Sequence, residues 1–296
     1  MKHTKVESIL CPVDFSEFSV LAFAYASSLA HHFHAKLYAQ YVVELGHYPS
    51  ADFTPNADVY DKFFDTMLRQ NEGRLRAFVQ CHRKYEPDPE CITSKGMAAD
   101  CILSLANERS VNLIVMGTHG RRGFERMMLG SVTEKVLRIA QCPVLAVPKL
   151  SPEFAASATS GDEIKLRQVI VCTDFSESSK EALDHGISVA EEYDANLILL
   201  HVLEDVSTPG CAVDTADAYK QLDELIPERT RLSSKITTAV RIGRAYREIG
   251  KFAHDCHADL VIMAVRGRDS LDDAIFGSTT YRVIQAGTCP VLAIHI

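Results

Sequence analysis

Residues 9 to 17 read Ile-Leu-Cys-Pro-Val-Asp-Phe-Ser-Glu, and the same design returns 160 residues later as Val169-Ile-Val-Cys-Thr-Asp-Phe-Ser-Glu177. The register continues through Ala35 and Ala195, Leu37 and Leu197, Glu44 and Glu204. A second register, 147 residues apart, pairs Leu113-Ile-Val-Met116 with Leu260-Val-Ile-Met263, Gly130-Ser131 with Gly277-Ser278, and Cys142-Pro-Val-Leu-Ala146 with Cys289-Pro-Val-Leu-Ala293. One folding unit therefore occurs twice, with a change of length inside the copy. Between the copies, residues 150–161 are small, polar and without period, as a linker is. The reading is a first domain over 1–149, a linker over 150–164 and a second domain over 165–296.

Within the first copy, short apolar runs near 6–13, 36–43, 90–95, 111–117 and 143–148 are rich in Val, Ile and Leu and nearly continuous in hydrophobicity, as strands buried on both faces are. Between them, 18–32, 58–80, 98–108 and 132–140 carry apolar residues at three- and four-residue spacing. Strands alternating with helices at this interval predict βαβ units: an α/β fold, doubly wound, with a parallel sheet and helices on both faces. Ligands of such sheets bind beyond the carboxyl ends of the strands, where strand order reverses.

Two motifs stand at strand ends of that kind. Asp14 follows the first apolar run. After the fourth comes Gly117-Thr-His-Gly-Arg-Arg-Gly-Phe-Glu-Arg-Met-Met-Leu-Gly-Ser131, which holds four of the chain's fifteen glycines and opens a helical pattern at Ser131 and Val132. A helix N-terminus offers unpaired N–H groups and a partial positive charge, so Gly130 admits an anion while Ser131 caps or donates. Gly117 and Gly120 let the strand end bend so that amides point inward around phosphate. The same glycines also suit a purely structural loop, and spacing alone leaves that alternative open.

Other nucleotide motifs are missing. There is no GxxxxGK[ST], no GxGxxG after the first strand, and no acidic pair beside Asp14. A net charge of −8 without a long basic run argues against nucleic acid and against anionic membrane surfaces. Nine cysteines without a CxxC pair fit a reducing compartment, and no apolar run approaches a membrane span, so a cytoplasmic protein is expected. His31, His32 and His34, and His254-Asp-Cys256-His257, are metal candidates, yet neither set repeats in the other half. Cys142 and Cys289 read as buried small residues rather than nucleophiles.

The strand-Asp14-Phe-Ser start, Val-Met-Gly117-x-x-Gly120, nine residues, Gly130-Ser131, and Cys-Pro-Val-Leu-Ala-Val147 together resemble the universal stress protein family, here as a tandem. The likeness spans nearly the whole chain apart from the linker and the segments near 45–57 and 205–213. It implies two five-stranded parallel sheets in order 3-2-1-4-5 and, in the nucleotide-binding branch, ATP in the crevice, with Mg arriving on the phosphates. Carried onto this chain, Pro12, Val13, Asp14 and Val42 would line adenine and ribose. Met116, Gly117 and Gly120 would follow ribose and phosphates, Gly130, Ser131 and Val132 would hold phosphate, and Arg121 and Arg122 lie within the loop. The resemblance further implies that the last strand of each copy pairs with the other, an intramolecular pseudo-dimer; a homodimer of whole chains stays open.

The copies differ. Ala264 replaces Gly117, Cys172 replaces Pro12 and Thr173 replaces Val13. Residues 118–129 carry Arg121, Arg122 and Arg126 against Glu125, while 265–276 carry Arg266 and Arg268 against Asp269, Asp272 and Asp273. Polyphosphate should prefer the first copy, and the methyl of Ala264 should restrict torsion and crowd a ligand. A second, weaker site would use Asp174, Val202, Gly267, Gly277 and Ser278. The functional expectation is an ATP-binding, regulatory stress-response protein without an evident water-activating base. Its rivals are a protein-interaction module without nucleotide and a slow ATPase.

Overall fold

In the computed structural model, residues 6–44, 57–86, 88–120, 129–149, 163–204, 215–231, 235–265 and 278–295 are described, 57–64, 229, 231 and 278 by backbone alone. The first copy runs β1 (Ser8–Pro12), α1 (Glu17–Phe33), β2 (Lys36–Val43), α2 (Ala57–His82), β3 (Glu90–Lys95), α3 (Ala98–Glu108), β4 (Leu113–Gly117), α4 (Ser131–Ile139) and β5 (Val144–Val147). The second runs β6 (Gln168–Thr173), α5 (Glu177–Tyr193), β7 (Asn196–Leu203), α6 (Ala216–Leu225), α7 (Glu228–Arg231), β8 (Ile236–Ile242), α8 (Ala245–Asp255), β9 (Leu260–Val265), α9 (Ser278–Ala286) and β10 (Val291–His295).

All ten strands form one sheet in the order β3-β2-β1-β4-β5-β10-β9-β6-β7-β8, which is 3-2-1-4-5 in each copy. Pairing is parallel within a copy and antiparallel where β5 meets β10, with Leu145 opposite Leu292. The edge pairing implied for the two last strands is thus present. It closes two sheet edges that would otherwise expose unpaired backbone.

The strands read as continuous apolar runs because both faces are covered. Ile9, Cys11 and Val115 point to a core shared with α1 and α2, whereas Leu10, Ile114 and Met116 point to one shared with α3 and α4. Helix α1 starts where Ser16 caps it, its Oγ accepting from Ser19 N at 3.2 Å, and ends at His34 in the left-handed region. Ser176 and Asp194 do the same for α5.

The carboxyl ends of α1 and α5 meet at the junction of the copies. His32 Nε2 lies 3.0 Å from Glu192 Oε1, and its ring stacks on Tyr193 with centroids 4.4 Å apart. Ile164 N donates to Ser28 Oγ at 2.8 Å and ties the entry of the second copy to α1. His31 and His32, considered for metal, lie at the domain junction within 4.0 Å of Glu163, while His34 ends α1 and His254 pairs with its neighbour Asp255. Among the described residues, no three His, Cys, Asp or Glu side chains gather as a metal site, and no helix is long and apolar enough to cross a membrane.

Candidate functional site

Strand order reverses between β1 and β4, so their carboxyl ends frame a crevice. At the end of β1, Val13 is buried and its N–H donates to Gln40 O at 2.7 Å. Asp14 Oδ1 then accepts from Ser16 N at 3.0 Å and from Ser16 Oγ at 2.6 Å. Those bonds fasten a turn in which Phe15 has φ 66°, a left-handed geometry costing about 1–2 kcal/mol for a residue with a Cβ. The Phe15 ring offsets the strain by stacking on Tyr41, centroids 4.7 Å apart, with the Arg74 guanidinium 4.6 Å from its centre. In the second copy Asp174 accepts from Ser176 N and Oγ, and Phe175 has φ 65°.

At the end of β4, Thr118 is almost wholly buried and its N–H donates to Val147 O at 3.1 Å. Its carbonyl accepts from Gly130 N at 2.9 Å, and Thr133 Oγ1 donates to Gly117 O at 2.9 Å. Two bonds therefore dock the first turn of α4 against the strand end. The amides of Ser131, Val132 and Thr133 have no intrahelical acceptor and carry the positive end of the helix dipole. Arg121 and Arg122 lie outside the described residues.

The glycines do not work through torsion. Neither Gly117 nor Gly120 has positive φ, so the expected backbone bend is not what requires them. Space is the reason. A Cβ at Gly117 would stand 2.8 Å from Phe18 Cβ and 3.1 Å from the Phe18 carbonyl, so this glycine makes room for the first turn of α1. A Cβ at Gly120 would stand 2.8 Å from Asp14 Oδ2, so here the loop closes directly on the other motif. Gly130 has ordinary clearance, 3.4 Å to Thr118 O. Pro12, Val13, Asp14, Met116, Gly117, Gly120, Gly130, Ser131 and Val132 all converge on these two strand ends, with Val42 on the neighbouring β2.

In the second copy a cleft of about 300 Å³ opens at the same place, lined by Asp174, Leu200, His201, Val202, Met263 and Ala264 among others. Its floor is more polar than that of the first. Thr173 Oγ1 is 2.9 Å from Ser179 Oγ and accepts from Phe175 N at 3.0 Å, and His201 Nδ1 donates to Thr173 O at 2.8 Å. Thr280 Oγ1 reaches Ala264 O at 3.3 Å, repeating the Thr133 tie. Ala264 packs toward the α5 side of the sheet, the direction in which Gly117 meets α1, and also lines the cleft. Gly267 and Gly277 lie outside the described residues, and Ser278 opens α9.

A family model for the universal stress proteins matches residues 5–148 and 165–295. The chain belongs to the universal stress protein family. A universal stress protein of Methanocaldococcus jannaschii is 31% identical over 147 residues, 50% of this chain and 85% of that protein. One of Mycobacterium bovis is 24% identical over 226 residues, 72% of this chain and 70% of that protein. Among solved structures, a universal stress protein of Archaeoglobus fulgidus has a TM-score of 0.74 at 22% identity, covering 100% of this chain and 99% of that one, and so shares its fold.

Sequence reading passed over several residues of this universal stress protein that shape the crevice. Gly96 and Gly243 have φ 143° and 140°, a region that favours glycine, and turn the chain from β3 into α3 and from β8 into α8. They recur at the 147-residue register, which was the available signal. Neither Met97 nor Arg244 caps its helix with a side chain; instead Glu44 Oε1 accepts from Ala98 N at 3.4 Å and Glu204 Oε1 from Ala245 N at 2.6 Å. The glutamates that follow β2 and β7 thus begin helices of the next unit. Burial pushes the Cys142 thiol up to about 11 and the Cys289 thiol to about 12, so neither supplies a thiolate near neutral pH.

Proposed function

We propose that this universal stress protein binds ATP in the crevice of its first domain and serves a regulatory role, the nucleotide acting as a held signal rather than as a substrate turned over quickly. The observation that carries the reading is the close approach of Gly120 to Asp14, with no room for a Cβ between them, beside the docked first turn of α4. A polar turn, a close-approaching loop and three helix-start amides face one crevice, which is the donor set a phosphate chain needs. Adenine and ribose fit beside Pro12, Val13, Asp14 and Val42. Met116, Gly117 and Gly120 run along ribose and phosphates through backbone, and Gly130, Ser131 and Val132 receive phosphate. Arg121 and Arg122 add charge from the loop, and magnesium arrives with the phosphates.

One oxygen of Asp14 is committed to Ser16, so this carboxylate is better suited to holding a turn and a hydroxyl than to activating water. Acid extraction of the purified chain, followed by analysis for adenine nucleotides, tests the reading together with a melting experiment. At ATP a hundredfold above Kd, the folded state gains about 2.7 kcal/mol. Absence of extracted nucleotide together with no ATP-dependent rise in Tm would overturn the proposal and leave an interaction module without nucleotide.

A further inference from the structure

Two positions that face each other differ between the copies as a pair. In the first copy Gly117 makes room for Phe18: a Cβ on the glycine would stand 2.8 Å from Phe18 Cβ, and the Phe18 ring lies 5.1 Å from that of His119. In the second copy the same places hold Ala264 and Ser178, and both line the cleft of about 300 Å³. The exchange adds one methyl and replaces a phenyl ring by a hydroxyl. It opens space at the second crevice where the first is filled by protein.

The lining of that space is divided. Leu200, Ile249 and Met263 are buried and form an apolar wall, with Leu200 standing where the first copy has Gln40. Asp174 and Glu204 are exposed and so belong to the mouth. Both are anchored: Asp174 Oδ1 accepts from Ser176 N at 3.1 Å, and Glu204 Oε1 from Ala245 N at 2.6 Å. Among the described residues, no lysine or arginine lines the cleft. His201 gives its Nδ1 proton to the Thr173 carbonyl, which leaves Nε2 of the neutral ring as an acceptor too. The sequence that follows β9 adds to the sign, because 265–276 hold three aspartates against two arginines, where 118–129 hold three arginines against one glutamate. An anion entering the second crevice meets like charge, and a cation meets acceptors.

We infer that the second crevice is a site for a small organic cation, an amine whose apolar body lies against Leu200, Ile249 and Met263 and whose ammonium meets Asp174 and Glu204 at the mouth. An ammonium carries three donors and no acceptor, which matches a mouth built of carboxylates. Ligand sites run from about 300 to 1,000 Å³, so this cleft suits one ring or a short chain and is too small for a nucleoside triphosphate. Two crevices copied from one unit then divide their ligands by charge. This inference does not depend on ATP occupying the first.

The test is titration calorimetry on the full chain at pH 7 with cyclohexylamine as the probe, and with cyclohexanol and cyclohexanecarboxylate as neutral and anionic controls built on the same ring. Wild type is compared with two double variants. Ser178→Phe/Ala264→Gly rebuilds the Phe18 and Gly117 pair of the first copy and fills the cleft. Asp174→Asn/Glu204→Gln removes both charges while keeping an oxygen to accept from Ser176 and Ala245. In wild type the amine should bind about tenfold more tightly than the alcohol, the strength of two partly screened ion pairs, and the carboxylate should bind more weakly still. Amine binding should vanish in the filled variant, and in the charge variant it should fall to the level of the alcohol. Alcohol or carboxylate binding equal to that of the amine in wild type would overturn the inference, as would absence of amine binding or its persistence in the filled variant. Should the filled variant not fold, the charge variant decides, and undiminished amine binding there overturns the inference as well.

Discussion

Gly117→Ala separates two meanings of a glycine in a binding motif. Backbone torsion permits alanine here, since φ at Gly117 is not positive. The new methyl would lie 2.8 Å from Phe18 Cβ and 3.1 Å from both Phe18 C and O, and backbone atoms of a helix cannot rotate aside. The first turn of α1 must shift, and its cap bond from Ser16, its turn at Phe15 and its buried Ser19 shift with it. Overpacking of this kind costs about 1–3 kcal/mol. With about 2 kcal/mol as the working figure, a domain of this size should melt about 4–8 °C lower. Thermal unfolding followed by circular dichroism measures that loss, and calorimetry well below the melting range measures ATP affinity. Because the methyl points at α1, affinity should fall less than about tenfold. Unchanged Tm with ATP binding abolished would refute the argument, placing Gly117 on the ligand rather than on the helix.

Gly186 of α5 would bring a Cβ to 2.2 Å from Val171 Cγ2, whereas the first copy has Ala26 and Cys11 at those positions. Gly186→Ala should therefore destabilise by about 1–3 kcal/mol, and Val171→Cys should recover most of that loss in a double-mutant cycle on urea unfolding; additive effects would sink the pairing. His295 is half-buried in β10, donates Nε2–H to Leu137 O of the first copy at 2.6 Å, and has its pKa lowered by desolvation. The unfolded chain takes up a proton below about pH 6.5 that the folded chain resists, so stability is full above that pH and falls as pH drops. His82 and His185 are lowered by burial too and share the effect. In urea unfolding across this range, His295→Gln should flatten the pH dependence by up to one proton, and an unaltered slope would reject the assignment. Asp14→Ala removes both acceptor bonds of the Phe15 turn and should cost about 1–3 kcal/mol, measured the same way, with Asp14→Asn recovering part of it.

The helices and strands were legible because each belongs to a layer with a simple demand. Strands covered on both sides are apolar at nearly every position, and that is how Leu113–Gly117 and, apart from Lys36 and Gln40, Lys36–Val43 read. The capping serines at 16 and 176 emerged only with the structure, although a cap needs only its own chain. The crevice was legible as a set of positions, since strand order and topology place the ends of β1 and β4 together. Its reasons were not. Gly117 looked like a ligand glycine, and the sequence did not show that it also makes room for α1, because a clash with Phe18 depends on a helix nearly a hundred residues earlier in the chain. Gly96 and Gly243, which do need left-handed backbone, drew no notice because no motif surrounds them.

Some contacts between helices were out of reach for a related reason. Arg247 and Arg282 come from two helices and meet at Tyr246 only in three dimensions. By itself, the sequence determined that one α/β unit is used twice, which residues form its strands and helices, and which two loops stand at strand ends. These follow from local periodicity and from repetition, properties a chain carries without folding. Tertiary structure decided which glycine touches which neighbour, which carboxylates cap helices, and where cations gather. Such properties belong to pairs of residues far apart in sequence, and close packing brings them together only in the folded chain.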